Sequence, residues 1–135
     1  MSYQFEDLSE GLSESIVKTV TQADVQAFAD VTGDNNPVHL DAEFAATTSF
    51  EKPIAHGMLT AGFISAAIGT KLPGPGCIYL EQSLKFRAPV YIGATVTTTV
   101  TVKELNERRR RAVIETVCTV EGKKVVTGEA TIMLP

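Results

Sequence analysis

Cysteine is scarce in this sequence: Cys77 and Cys118 are the two among 135 residues. Two thiols cannot build a disulfide framework, and such sparse usage suits a reducing compartment. Positive charge is short as well. Lys and Arg number 12 against 16 Asp and Glu, for a net charge of −4. Nothing global therefore points to nucleic acid, which usually asks for a basic face. Long apolar runs are missing. The longest, Gly57 to Gly69, is interrupted by Thr60 and Ser65 and falls short of the ~20 apolar residues of a membrane-spanning helix. The opening MSYQFEDLSE holds acids and no apolar run, so it does not read as a signal peptide, and the expected location is the cytoplasm. There is no phosphate-cradling glycine loop, no Cys/His metal spacing and no Ser-centred nucleophile elbow. Repeats, linkers and low-complexity tracts are absent too.

What remains is ordinary globular material, 44% apolar and 21% charged. The length suits one domain over residues 1–135, able to bury roughly two-thirds of its unfolded surface. The first half reads as loops and helices. A short β-branched run at 15–20 predicts an opening strand. Thr21 with Asp24 three residues on resembles a capping box, and Gly33 stands where a glycine stops the helix. Asp34-Asn35-Asn36-Pro37 is a tight turn, and Asp41 caps a short helix holding Phe44, Ala45 and Ala46. The segment from Gly57 to Gly69 has no polar face, so it predicts a helix buried all round.

After Pro73-Gly74-Pro75-Gly76 the period changes to two. Ile78, Leu80, Leu84, Phe86 and Ala88 share one face, and Thr alternates with Val in a strand over residues 95–105. Residues 112–120 and 124–133 complete the strands, with loops at Asn106–Arg111 and Glu121-Gly122-Lys123. About five antiparallel strands wrapped around one long buried helix define an α+β, hot-dog-like architecture. A lone curved sheet leaves an edge strand, for which a second copy is the simplest cover.

Four places carry candidate chemistry. Asp34 and His39 lie five positions apart across a turn, which can bring a carboxylate and an imidazole to one point for acid–base work near neutral pH. The plain alternative is a helix-stop turn in which Asp34 caps and His39 fills space. Gly57 opens the apolar helix, where free N–H groups and the positive dipole end await an oxygen; otherwise it permits close packing and His56 is a loop residue. Ser65 lies mid-helix, where a serine ordinarily bonds its own i−4 carbonyl. Arg108, Arg109, Arg110 and Arg111 suit phosphate or are simply a solvated hairpin tip.

Taken together, these residues resemble a known family. The stretch Phe28-Ala29-Asp30-Val31-Thr32-Gly33-Asp34-Asn35-Asn36-Pro37-Val38-His39-Leu40-Asp41 is similar to the hydratase 2 motif of MaoC-like, (R)-specific enoyl-CoA hydratases. Phe44–Thr48, Pro53-Ile54-Ala55-His56-Gly57-Met58, Leu72–Gly76 and Gly128-Glu129-Ala130 follow at that family's spacing. The size is that of the short bacterial form that supplies polyhydroxyalkanoate synthesis. The resemblance implies a hot-dog fold, a homodimer and reversible hydration of trans-2-enoyl-CoA, without metal or redox cofactor. It implies that Asp34 and His39 are the catalytic pair, that the Gly57 amide holds the thioester oxygen, and that Ser65 supports the site. Ile68, one turn beyond Ser65, is the candidate floor of an acyl tunnel; the alternative is that it packs against the sheet.

Three rivals stand beside hydration. A hot-dog acyl-CoA thioesterase would aim the same water at the carbonyl carbon. An acyl-carrier-protein dehydratase would pair its histidine with a glutamate on the central helix, and residues 57–71 hold no acid. A non-catalytic acyl-CoA binder would need no Asp34–His39 pair.

Overall fold

The sheet carries the core, and its alternation follows the side chains. In the computed structural model, which describes residues 2–135, six strands form one antiparallel sheet. They are β1 (Ser13–Thr19), β2 (Ile78–Gln82), β3 (Lys85–Phe86), β4 (Thr95–Asn106), β5 (Arg111–Val120) and β6 (Lys123–Met133). Their order is β1-β4-β5-β6-β2, with β3 also on β6. Val96, Val100 and Val102 of β4, Ala112, Ile114 and Cys118 of β5, and Ala130 and Ile132 of β6 all point into the core. The threonines of β4 do two jobs. Thr98 is buried against Cys118, Oγ1 to Sγ 3.3 Å. On the other face Thr95, Thr99 and Thr101 meet Thr19, Ser15 and Ser13 of β1 at 2.8, 2.9 and 3.0 Å, a hydroxyl ladder across the strand pair. Both cysteines are free thiols.

Four helices occupy the segment between β1 and β2: α1 (Gln22–Thr32), α2 (Pro37–Leu40), α3 (Ala42–Ala46) and α4 (Gly57–Thr70). The expected capping box closes α1: Thr21 Oγ1 accepts from Asp24 N at 3.1 Å, and Thr21 N donates back to Asp24 Oδ2 at 3.0 Å. Gly33 ends it at φ 83°, the left-handed cap. Asp41 caps α3, accepting from the Glu43 and Phe44 amides. The turn Glu121-Gly122 has positive φ at both residues, 51° and 78°, as a tight hairpin demands.

Two expectations need correction. The helix α4 is not buried all round. Ile64, Ala67 and Ile68 are inaccessible against the sheet, whereas Met58, Gly62, Ser65 and Ala66 are exposed. One sheet can cover only one side of a helix. The apolar alternation over 78–88 is likewise not one strand. A bulge falls between Tyr79 and Glu81, and bulges bend the strand they interrupt. The ladder is irregular at 83–84, although Ser83 N still donates to the Glu129 carbonyl of β6 at 2.9 Å, and regular pairing resumes as β3. Gly128 permits the close approach of the two backbones there, since a Cβ would lie 1.8 Å from the Ser83 carbonyl oxygen.

Candidate active site

The short helix α2 exists to present His39. Pro37 at its first position supplies a fixed φ, and the Asn36 side chain accepts from Val38 N at 3.2 Å. His39 is thereby turned inward, 8% exposed, with Nδ1 2.7 Å from the Ile54 carbonyl. A carbonyl only accepts, so Nδ1 carries the proton and, in the neutral ring, Nε2 is a bare lone pair. Burial pushes the His39 pKa below the usual 6.5, and the neighbouring His56 adds to this; the bond to Ile54 and the Asp34 charge act the other way. The ring is therefore held neutral, as an acceptor.

Asp34 sits one residue past the Gly33 cap, exposed, its amide donating to Thr32 Oγ1 at 3.1 Å. Ligand atoms of Asp34, His39 and His56 all lie within 4.8 Å of one another. Among the described residues no hydrogen bond joins the Asp34 carboxylate to His39 directly. Two hydrogen bonds of about 2.8 Å to one shared water span up to about 5.6 Å, so the separation fits a water held between the pair. Each imidazole gives one nitrogen to a main-chain carbonyl, which leaves its other nitrogen toward the cluster. The two rings stack with centroids 3.9 Å apart and planes 30° from parallel.

Gly57 is the first residue of α4, with His56 as its cap residue. Among the described residues nothing accepts the Gly57 N–H. The Phe86 ring presses against this glycine: a Cβ there would lie 2.7 Å from Phe86 Cδ1 and Cε1. Asp34, His39, His56, Gly57, Thr60 and Phe86 all line one cavity of about 500 Å³, within the size range of small-molecule sites. A polarising helix N-terminus and an acid–base pair thus share one chamber.

The other candidates fall elsewhere. Ser65 is on the open face of α4 and does not line this cavity. Ile68, also outside the cavity lining, is 0% exposed in the core. The arginine run is at the β4–β5 tip. Arg110 there ties the N-terminal segment to the C-terminus, with Nη1 2.8 Å from Glu6 and Nε 2.6 Å from the Pro135 carbonyl. Sequence reasoning did not place Thr60, Phe86 or His56 in the cavity lining. Thr60 alone left a signal, a polar residue in the first turn of an otherwise apolar helix.

The fold has counterparts among known proteins. Residues 6–126 match the MaoC-like domain family, and the chain belongs to that family, with its hot-dog fold. Among relatives, the (R)-specific enoyl-CoA hydratase of Rhodospirillum rubrum is 54% identical over 133 residues, covering 98% of this chain and 92% of the relative. Among solved structures, the unliganded R-hydratase of Pseudomonas aeruginosa superposes with a TM-score of 0.95 at 45% identity, covering 99% of this chain and 86% of that one. The (R)-hydratase of Aeromonas caviae involved in polyhydroxyalkanoate biosynthesis gives 0.94 at 46%, covering 96% and 99%.

Proposed function

We propose that this protein catalyses the reversible, (R)-specific hydration of trans-2-enoyl-CoA to (R)-3-hydroxyacyl-CoA. The observation that carries the reading is the acid–base pair facing a free helix N-terminal amide within one cavity. The Gly57 N–H polarises the thioester carbonyl and makes C3 electrophilic. Asp34 and the bare Nε2 of His39 hold a water between them. Its oxygen bonds to C3, one of its protons passes to the pair, and the pair returns one proton to C2. Addition from one fixed face sets the configuration. These steps call for no resident metal or redox cofactor.

The homologues of known role make supply of polyhydroxyalkanoate monomers a suitable task, and the cytoplasm a suitable place. A second copy covers the open apolar face of α4 and the exposed Ile78, Tyr79 and Leu80 of edge strand β2. Ser65 then faces that partner. Light scattering in solution checks the dimer; a mass near 14.5 kDa overturns it.

The deciding experiment mixes the protein with crotonyl-CoA. Loss of the enoyl absorbance with the thioester intact supports hydration. Release of free CoA thiol indicates a thioesterase, and binding without either indicates a non-catalytic acyl-CoA module.

A further inference from the structure

His56 is more than a neighbour of the reacting groups. It is 2% exposed and lines the cavity. Its Nε2 lies 2.9 Å from the main-chain carbonyl of Asp34, across 22 residues of sequence. That acceptor again fixes the tautomer: Nε2 carries the proton, and in the neutral ring Nδ1 is bare. Nδ1 is in fact buried without a partner, an arrangement that ordinarily costs stability. One face of the ring stacks on His39 at 3.9 Å, and Phe28 of α1 packs against it at 4.6 Å. The next residue is Gly57. One imidazole therefore touches the backbone of Asp34 and the ring of His39, and adjoins the Gly57 amide.

The three reacting groups stand on separate elements: the loop after α1, the helix α2 and the start of α4. Without a common brace, their spacing would rest on an exposed loop. We propose that His56 is the positioning residue of this site, its N–H holding the Asp34 main chain and its ring face holding His39, so that carboxylate, imidazole and amide keep one register. His56 does not exchange protons with the substrate. The hydrogen bond to Asp34 is the essential part, and the stack with His39 is secondary. The kinetic part of the test rests on the hydration reading above; the spectroscopic part does not.

Two variants separate the contacts. His56→Phe keeps a flat ring but has no donor. His56→Gln keeps a side-chain N–H at about the same reach. Misplacing reacting groups by about 1 Å can cost about a hundredfold, so His56→Phe should lower kcat about ten- to a hundredfold with KM changed less than about threefold. His56→Gln should return to within about threefold of the parent kcat. Both variants matching the parent, or both losing activity equally, overturns the proposal. Nitrogen-15 NMR of the unmodified protein gives an independent check. It should find His56 protonated on Nε2 and His39 on Nδ1, and His56→Phe should shift the titration of His39, which His56 and Asp34 face. A proton on His56 Nδ1 instead, or an unmoved His39, overturns the brace even if the reaction proves to be something other than hydration.

Discussion

The turns between β1 and β2 and the meander β4–β5–β6 follow different rules. In the meander, side chains alternate between core and solvent, and each strand is explained by its neighbours. In the turns, Asp34 is exposed, His39 is buried among polar contacts, and Gly57 begins a helix with its amide unpaired. The first region is built for stability. The second gathers polar groups around a cavity, among them the buried, unpartnered His56 Nδ1 and Thr60 Oγ1. Substitutions in the two regions should accordingly show up in different measurements.

The largest effect belongs to the turns. Asp34→Asn and His39→Gln should each lower kcat by at least about a hundredfold, the range for a lost acid–base group, while the melting temperature stays close to the parent's. A matching collapse of stability would break the division. Next comes Ile68→Ala in the core, expected to cost about 2–5 kcal/mol by chemical denaturation. If the variant also turns toward longer enoyl chains, the opened volume joins the acyl site, and core and site are not separate.

Acidity gives a smaller, graded effect. The folded-state pKa of His39 lies below its ordinary 6.5, so below 6.5 the unfolded chain binds the proton more readily. Its contribution to stability is complete above 6.5 and is lost as pH falls through the lowered value. The value of kcat/KM should fall over that same acidic range and stay level through neutrality, as a pH–rate profile will show. An acid limb centred above 6.5 would contradict a buried neutral imidazole. Smallest is Thr21→Ala, which removes a helix cap far from the chemistry. It should cost about 1 kcal/mol by thermal melting, with kcat unchanged.

Legibility in the sequence divides along the same line. Period-two alternation placed β4, β5 and β6 nearly to the residue, because every second side chain there meets the core. It failed over 78–88, since neither the bulge after Tyr79 nor the irregular ladder beside Gly128 leaves a mark on hydropathy. The helix α4 was legible as a helix but not in its two faces. Met58 and Ala66 are as apolar as Ile64 and Ala67, and composition cannot tell a face covered by the sheet from an open one. At the site, Asp34, His39 and Gly57 were recognisable as a motif, and capping logic explained the turns that hold them. His56 was legible only as the residue before Gly57. Its hydrogen bond reaches back to Asp34 over 22 residues, and no local pattern encodes a contact of that span.

The sheet order has a consequence for assembly. Strands β4, β5 and β6 are joined by tight turns, so they pair early and at small cost in chain entropy. Strand β1 reaches β4 across a separation of 88 residues, from Ser13 to Thr101. Asp34, His39, His56 and Gly57 all lie within the loop that this pairing closes. The cavity is therefore expected to be completed after the meander and to be released first when the edge strand opens. Amide hydrogens of β1 should exchange from smaller openings than those of β5. A chain can then lose its active site while most of its sheet is still protected.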